Sequence, residues 1–469
     1  DDVSGQFLVQ GTVTSRGYRY SSRPPTKEAR DALDDDDKLP GGSAIVVGGN
    51  IGGGILLDSA PNAGVDYDGD GIPNSTDTDD DNDGTLDTSD KDLDNDGIDD
   101  ALEGTSTVAS AGNAPALAID SATENITIGK VAASGADAYG LVIRGTVIGN
   151  GVLDNIGGTA IRIGGGGFTT TIEGGIRLQG LATAVGYNAD SQAIHLRTGA
   201  VTDALVIDGN ITSSTVATSG TGAAETGATA YGIRIDAGAV AKSLNVSGSI
   251  VAVSSGENGD ATAIIDRGGG LTSLTNSGTI TALVTPTDDA DDLDDAVAGR
   301  PEDIDPTNET ITGQATAIDV RYATAGVTLT QLGVNDGDDD LDNTTTDLDT
   351  DGDGVDDADE PSITGDIYFG AHADTFNLLN GTFTGDVSFG NGADVYTLAG
   401  GAEATGAVRD ADGQLTLNVT AGKMTISNAE VIDATALTIG ATSSVIFTAD
   451  PNAGGGAGAN TQFTVATAN

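Results

Sequence analysis

The sequence contains no cysteine and no tryptophan, one methionine, and only 19 lysine and arginine residues among its 469. Without cysteine it has no disulfide, no thiolate metal site and no cysteine nucleophile. Against 72 aspartate and glutamate residues, the few cations leave a formal net charge of -53. Because a field of that sign repels phosphate backbones and anionic bilayers, we expect no nucleic-acid partner and no docking on an anionic membrane surface.

Long apolar runs are also missing. No stretch of about 20 apolar residues occurs, so no segment is expected to span a membrane as a helix. The chain begins at Asp1 without methionine, which is typical of a processed product whose leader has been removed. A large secreted protein without disulfides needs another stabilising element, and calcium is the natural candidate where carboxylates are dense.

Glycine is abundant, at 70 residues, and Ala, Thr, Ser, Val and Ile fill much of the rest, which favours β-structure with tight turns. The N-terminal segment 1–40 differs, because it holds about a third of the basic residues and forms a basic arm. Its one predicted helix covers positions 26–33. Its run from Asp34 to Lys38 also matches an engineered protease site, an alternative to natural sequence leading into the next strand.

An internal repeat occupies the middle of the chain. Five segments align at Ala160–Ile163, Ala193–Leu196, Tyr231–Ile235, Ala263–Asp266 and Ala317–Val320, and Leu141–Ile143 is a candidate earlier copy. Each is followed by a small-residue turn and a second strand. The first four copies are almost evenly spaced, and the fifth comes later because an acidic insertion precedes it. Three or four residues cannot bury an apolar face alone, so such units are expected to stack into a continuous core.

A tighter repeat follows in the C-terminal third. The segment 365–370 recurs at 385–390, and 374–378 recurs at 394–398, so both share one 20-residue period. No helical stretch long enough for βαβ crossovers intervenes. We therefore predict an all-β chain, a right-handed parallel β-helix with inserted Asp-rich loops, with an antiparallel β-sandwich array as the alternative.

Five regions follow from these patterns. They are a basic N-terminal arm with capping strands (1–57), tandem calcium-binding repeats (58–104), β-helix repeats with an acidic insertion near 286–310 (105–335), a second calcium-binding segment (336–362), and C-terminal coils with a Gly-rich tail (363–469).

The acidic segments contain loops of twelve residues with aspartate at positions 1, 3 and 5. Three loops follow one another in tandem with a constant period, a fourth precedes Pro361, and a degenerate copy precedes the fourth. Calcium requires six to eight oxygens, which carboxylates at positions 1, 3, 5 and 12 and the carbonyl at position 7 can supply. The predicted ligands are Asp66, Asp68, Asp70, Ile72 and Asp77; Asp79, Asp81, Asp83, Thr85 and Asp90; Asp92, Asp94, Asp96, Ile98 and Glu103; Asp336, Asp338, Asp340 and Asp347; and Asp349, Asp351, Asp353, Val355 and Glu360.

The glycine at position 6 allows the sharp turn in four of these loops, at Gly71, Gly84, Gly97 and Gly354. An acidic disordered linker is the alternative. That alternative does not explain why the four glycines share one register. The sequence therefore predicts calcium (Ca2+) as the bound ion, with no other cofactor.

Two resemblances add to this interpretation. The 13-residue tandem resembles thrombospondin type 3 repeats over residues 66–103 and 336–360, which implies loops that wrap calcium and stiffen the segment. Residues 137–469 resemble the β-helical passenger domain of a proteobacterial autotransporter in their Ala-Ile and Gly-Asp-Φ-x-Phe-Gly units. That resemblance implies export across the outer membrane to the surface of a Gram-negative cell.

Three functions remain open. The first is a structural surface protein that assembles with itself into a surface layer or filament. The second is an adhesin for host or neighbouring-cell surfaces, including outer-membrane glycans, and the third is a glycan-degrading β-helical enzyme. No catalytic residue is predicted, because His195 and His372 lack a serine or cysteine neighbour and aromatic sugar platforms are scarce. We therefore expect a structural protein that is not an enzyme.

Overall fold

The structure is a computed structural model. It describes residues 2–17, 22–24, 27–59, 77–80, 84–91, 93, 105–133, 135, 138–216, 227–256, 258–285, 311–334, 355–357, 360–426, 431–447 and 462–468. Within these residues the single helix is α1 (Lys27–Asp31), and it is not long and apolar enough to cross a bilayer. Almost all remaining regular structure consists of parallel strands in three long sheets, I, II and III.

Sheet I has 13 strands. They are β1 (Phe7–Val9), β4 (Ile55–Leu57), β8 (Leu141–Ile143), β12 (Ile176–Leu178), β16 (Ala204–Ile207), β19 (Ser243–Val246), β22 (Ser273–Asn276), β25 (Thr328–Gln331), β28 (Thr375–Leu378), β31 (Val395–Leu398), β34 (Leu415–Val419), β36 (Val431–Ile439) and β38 (Gln462–Ala468).

Sheet II has 12 strands. They are β2 (Thr12–Ser15), β5 (Thr107–Ala111), β9 (Thr146–Asn150), β13 (Leu181–Tyr187), β17 (Asn210–Val216), β20 (Ser249–Ser255), β23 (Thr279–Thr285), β26 (Ser362–Thr364), β29 (Thr382–Thr384), β32 (Glu403–Gly406), β35 (Lys423–Ile426) and β37 (Ser444–Phe447).

Sheet III has 10 strands, and a minor sheet of three lies between sheets III and I in the early coils. The strands of sheet III are β3 (Ile45–Val47), β6 (Leu117–Ile119), β10 (Gly158–Ile163), β14 (Ser191–Leu196), β18 (Thr229–Ile235), β21 (Asp260–Asp266), β24 (Ala315–Asp319), β27 (Asp366–Tyr368), β30 (Val387–Phe389) and β33 (Val408–Asp410). The minor sheet contains β7 (Ile126–Ile128), β11 (Thr170–Ile172) and β15 (Ala200–Thr202).

From β1 to β35 the chain visits sheets I, II and III in turn and then returns to sheet I, so each circuit is one coil of a parallel β-helix; β36, β37 and β38 then alternate between sheets I and II. Three corners separate the sheets, and we name them by the sheets they join. The basic arm between β2 and β3, with helix α1, lies at the II–III corner. Strands β1 to β4 belong to the three long sheets, so the N-terminal region is continuous with the coils.

The five repeat segments pair in register in sheet III, which confirms the predicted stacking. One inward column runs through Ile161, Ile194, Ile233, Ile264 and Ile318. These five side chains are fully buried, and so are the next inward side chains along β10, β14 and β18. The candidate earlier copy at Leu141–Ile143 is wrong, because that segment is β8 of sheet I, and sheet III is continued instead by β6. A three-residue apolar run carries no information about which of two sheets it joins.

The 20-residue repeat is also one full coil, because β27 pairs with β30 and β28 with β31. Glycines form their own column at the I–II corner. At Gly180, Gly209, Gly248 and Gly278 a Cβ atom would lie 2.1 Å from the carbonyl oxygen of the preceding coil's glycine. Since that separation is far below van der Waals contact, only glycine allows the coils to stack this closely here.

Candidate metal centre

The structure describes six of the predicted calcium ligands: Asp77, Asp79, Thr85, Asp90, Val355 and Glu360. The others lie outside the described residues: Asp66, Asp68, Asp70, Ile72, Asp81, Asp83, Asp92, Asp94, Asp96, Ile98, Glu103, Asp336, Asp338, Asp340, Asp347, Asp349, Asp351 and Asp353. Within the described part of the chain, no three carboxylate or histidine side chains converge as a metal-binding group. The described residues cover part of the second loop, Asp79 to Asp90, and the points where the two acidic segments join the coils, which we call the segment bases.

In the second loop, the first aspartate holds the glycine turn. The Gly84 backbone N–H donates to Asp79 Oδ2 at 3.1 Å, and Gly84 adopts a φ of 93°, which favours glycine. The other oxygen, Asp79 Oδ1, is buried and has no hydrogen-bond partner among the described atoms. Because an unpartnered buried carboxylate oxygen is costly, this atom suits a cation ligand.

Two acidic residues outside the predicted set also shape this loop. The Asp80 N–H donates to Asp87 Oδ1 at 3.0 Å, and the Asp87 N–H donates to the Thr78 carbonyl at 3.1 Å. Asp80 is buried, so this contact pulls positions 2 and 9 of the loop together. Position 9 commonly reaches calcium through water, so Asp87 could have been included from spacing alone.

The closing residues of the loop form a turn. The Asp90 N–H donates to the Leu86 carbonyl at 3.0 Å, and Asp90 Oδ1 accepts the Lys91 N–H. Before the loop, Asp77 Oδ1 accepts the N–H groups of Thr78 and Asp79 at 2.6 and 3.1 Å. The predicted last ligand of the first loop is thus also a backbone cap for the start of the second.

Both acidic segments leave the coil at the same corner. The first connects β4 of sheet I to β5 of sheet II, and the second connects β25 of sheet I to β26 of sheet II. Strands β4 and β25 are six strand spacings apart in sheet I. At about 4.8 Å per strand, the two insertion points lie about 29 Å apart along the axis.

The base of the first segment contains a buried ion pair. Asp58 directly follows β4, and its Oδ1 lies 3.4 Å from the Arg144 guanidinium, with both side chains almost fully buried. Gln10 Nε2 donates to Asp58 Oδ2 at 3.0 Å, and Arg144 Nε donates to Gln179 Oε1 at 3.4 Å. Removing one member of such a pair leaves the other charge buried without a partner, which is strongly destabilising. These contacts therefore attach the departing chain to the coils on either side.

The base of the second segment contains buried amides. Gln331 occupies the inward column of sheet I where other coils carry Ile207, Val246 or Leu378. Its Nε2 donates to the carbonyls of Pro361, Asn380 and Thr382 at 3.0–3.1 Å, and its Oε1 accepts from Asn276 Nδ2 at 3.2 Å. The returning strand is therefore held from inside the core. The sequence pattern missed this pair, because alternation assigns a polar residue to the outward face.

A separate set of carboxylates lies at the III–I corner of the C-terminal coils. Asp374 and Asp394 are almost completely buried, and the Asp374 N–H donates to Asp394 Oδ1 at 2.7 Å. Asp374 Oδ2, Asp394 Oδ2 and Asp410 Oδ1 have no hydrogen-bond partner among the described atoms. Burial, then the neighbouring acids, raises the pKa of Asp394 to about 6, and burial also raises the pKa values of Asp374 and Asp410. The turn at Gly390–Asp394 is closed by Gly392, whose N–H donates to Asp412 Oδ2.

His195 lies on the outer face of sheet III, and its Nε2 is 2.8 Å from Asp236 Oδ2. Burial lowers the pKa of His195 despite the nearby Asp236. A groove of 350 Å³ is lined by Glu173 and Asp203, among others, and Asp203 is paired with Lys242. Comparison with protein-family models, curated proteins and solved structures finds no match for this chain.

Proposed function

We propose that this chain is a calcium-binding structural protein of the cell surface, outside a Gram-negative bacterium. In this proposal it associates with copies of itself into a layer or filament. Calcium orders the acidic segments, and the parallel β-helix is the rigid body that carries them. The absence of cysteine fits a body stabilised by stacked coils and bound ions.

The observation that carries the proposal is the Asp79–Gly84 turn. One oxygen of the first carboxylate is engaged by the glycine N–H, while the other is buried without a partner among the described atoms. The same Asp and Gly register recurs at 13-residue spacing on both sides of this loop. Calcium satisfies such oxygens, because it takes six to eight oxygen ligands in a flexible geometry.

Bound calcium does not neutralise the chain. Four ions would remove eight units of the -53 charge, which leaves most of the self-repulsion in place. The role of calcium is therefore geometric, because ordered segments at two fixed points on one corner present defined contact surfaces. The buried contacts of Asp58 and Gln331 support this role by anchoring both segments.

Calcium uptake is the first test. Calorimetry of the full chain should show at least three ions binding at roughly 0.1–1 mM, the range common for extracellular modules. Gly84→Val should remove about one ion, because valine strains the positive φ of the turn. Thr88→Val, which places the same side chain at an exposed point of the same loop, should leave the count unchanged. No calcium uptake at millimolar concentration would refute the proposal.

Assembly is the second test. Sedimentation and electron micrographs of the purified chain should show large assemblies in millimolar calcium and smaller species with a chelator. If the chain stays monomeric at high concentration in calcium, the structural-layer proposal fails and adhesion to a surface ligand becomes the leading function.

A further inference from the structure

The outer face of sheet III carries a row of arginines. Five consecutive coils each place one there: Arg162, Arg197, Arg234, Arg267 and Arg321. Arg162 and Arg234 occupy one outward column, on either side of His195. Arg197 and Arg267 directly follow their strands, Arg321 lies two residues beyond the end of β24, and these three form the next column. At about 4.8 Å per coil, the row extends about 19 Å along the axis.

Three of these arginines are neutralised within the face, and two are not. Arg162 pairs with Asp120 at 2.7 Å, Arg234 with Asp236 at 2.9 Å, and Arg321 with Asp319 at 2.7 Å. Arg197 and Arg267 are exposed and make no ion pair with any described residue. The Arg197 side chain lies over Gly165, which leaves its guanidinium at the surface. A chain of charge -53 thus carries two uncompensated guanidiniums on this face, two coils apart.

Two arginines of the basic arm are already paired within the chain and are therefore not available to a second copy. Arg23 and Arg30 both contact Asp154 of the same chain, and the Arg23 guanidinium lies 4.0 Å from the Tyr187 ring centroid. The arm is thus bound along its own II–III corner, so these two arginines are used within the chain.

The acidic segments that would complement this arginine row are inserted on the opposite side of the coil. The segments 60–104 and 335–361 hold 16 and 13 acidic residues and are both inserted at the I–II corner. In a three-sided coil, the corner between two sheets lies across the core from the third sheet. Each copy therefore has the arginine row on one side and these two acidic segments inserted on the other, while the third acidic insertion, near 286–310, connects β23 of sheet II to β24 of sheet III at the II–III corner.

We propose that sheet III of one copy binds the acidic I–II corner of a second copy, with Arg197 and Arg267 as the principal contacts. This inference rests on the proposed function and names the surface through which the chain associates. The contact is heterologous, so its repetition places copies side by side in an open array. Guanidiniums suit the role, because their planar fork pairs with carboxylates through two hydrogen bonds.

The test uses the full chain in millimolar calcium at low salt, with association measured by analytical ultracentrifugation. Arg197→Glu with Arg267→Glu should weaken association by about 100-fold, because two attractive contacts become repulsive. Lys242→Glu with Lys423→Glu makes the same change in net charge on other parts of the surface and should weaken it far less.

A charge exchange identifies the partner surface. Asp99→Lys with Asp356→Lys reverses the acids at position 8 of two loops, outside the predicted ligand set. That variant and the arginine variant should each associate poorly alone, and their mixture should associate better than either, because each restores a complementary contact.

Other outcomes separate this inference from the proposed function. If the arginine variant assembles like the unmodified chain, this inference is overturned and the proposed function stands. If the unmodified chain does not assemble in calcium, both are overturned. If it stays monomeric but binds polygalacturonate through Arg197 and Arg267, the row serves an acidic glycan, and a second copy is not its partner.

Discussion

The middle coils and the C-terminal coils build the same β-helix with different cores. In the middle, sheet II strands β13, β17, β20 and β23 are seven residues long, and the side chains of the hydrophobic core are aliphatic. In the C-terminal coils, β29 and β32 have three and four residues. There the rings of Phe369 and Phe389 stack at 5.1 Å, and those of Phe376 and Tyr396 stack at 4.8 Å.

Coil length explains the difference. A 20-residue coil offers fewer inward positions than the longer coils of the middle, so each position must carry a larger side chain to fill the core. The same shortening leaves little room at the III–I corner. Asp374 and Asp394 lie there in the column where the preceding coil carries the apolar Val327. The aromatic region therefore also contains buried carboxylate oxygens without hydrogen-bond partners, and the middle and C-terminal coils should respond differently to mutation and pH.

The largest effect is expected from the aromatic stack. Phe376→Ala should lower the free energy of unfolding of the C-terminal coils by about 3–5 kcal/mol, through the cavity and the lost ring contacts. The matched variant is Leu329→Ala, one coil earlier in the same column, which should cost about 2–3 kcal/mol. Denaturant unfolding measured with hydrogen exchange checks both, since a solenoid can unfold regionally. Equal losses at the two sites would show that the ring contacts add no stability beyond that of a buried aliphatic side chain.

The next effect is expected where the two cores meet. Gln331 lies in β25, the last coil before the aromatic region. Its side-chain amide nitrogen lies within hydrogen-bond distance of three backbone carbonyl oxygens in the core. Gln331→Ala should cost about 3 kcal/mol, because buried polar groups lose their partners. It should also weaken calcium binding by the second segment, whose return strand loses its anchor. If calorimetry of the variant shows unchanged calcium binding, the anchor is independent of the segment.

The third effect separates the regions by pH. The folded pKa of Asp394, about 6, lies above the ordinary aspartate value, so the folded coils bind its proton more tightly than the unfolded chain does. Stability of the C-terminal coils should therefore rise as pH falls from about 7.5 through 6, reach its full gain below about 4, and be lost again as pH rises. The groups facing Asp394 are Asp374, Asp410 and Asp412, with His372 near Asp374.

Asp394→Asn tests that assignment. The amide keeps an acceptor for the Asp374 N–H and carries no charge, so the variant should be more stable than the unmodified chain at about pH 7.5, by about 2 kcal/mol. Its stability should also change less on acidification to about pH 5. Hydrogen exchange of β28 and β31 at both pH values is the measurement, and the middle coils are the internal control. A C-terminal region whose stability falls on mild acidification would contradict the assignment.

The coil could be predicted from the sequence where side chains repeat with a fixed spacing. The isoleucine column of sheet III and the 20-residue coil were both readable, because one coil per repeat forces identical positions into register. The spacing could not show which sheet a short apolar run would join, as for Leu141–Ile143. It also could not show that Asn276 and Gln331 point inward, because alternation assigns polar residues outward unless their partners are known.

The calcium segments illustrate the same limit. Their register predicts a set of calcium ligands, which stays a prediction, and nothing in it showed that both segments leave one corner about 29 Å apart, because that depends on which strands flank each insertion. Asp58 and Arg144 are far apart in the sequence, and only stacking of successive coils brings them into contact. Contacts between coils are thus the part of the site that a linear pattern cannot supply.

The smallest effect is expected from exposed ion pairs between neighbouring coils, one in each region. Lys242 pairs with Asp203 in the middle, and Lys423 lies opposite Glu403 in sheet II at 3.0 Å. All four side chains are about half exposed, so water competes for each charge and salt screens it. Lys242→Met and Lys423→Met should each change the free energy of unfolding by less than about 0.5 kcal/mol, and the change should vanish at high salt.

Thermal unfolding at two salt concentrations measures this smallest effect. Because both pairs are exposed to solvent, their contributions should both be small and similar. A larger loss at Lys423 would mean that the short coils depend on surface charge, and that the difference between the two regions does not lie in their cores.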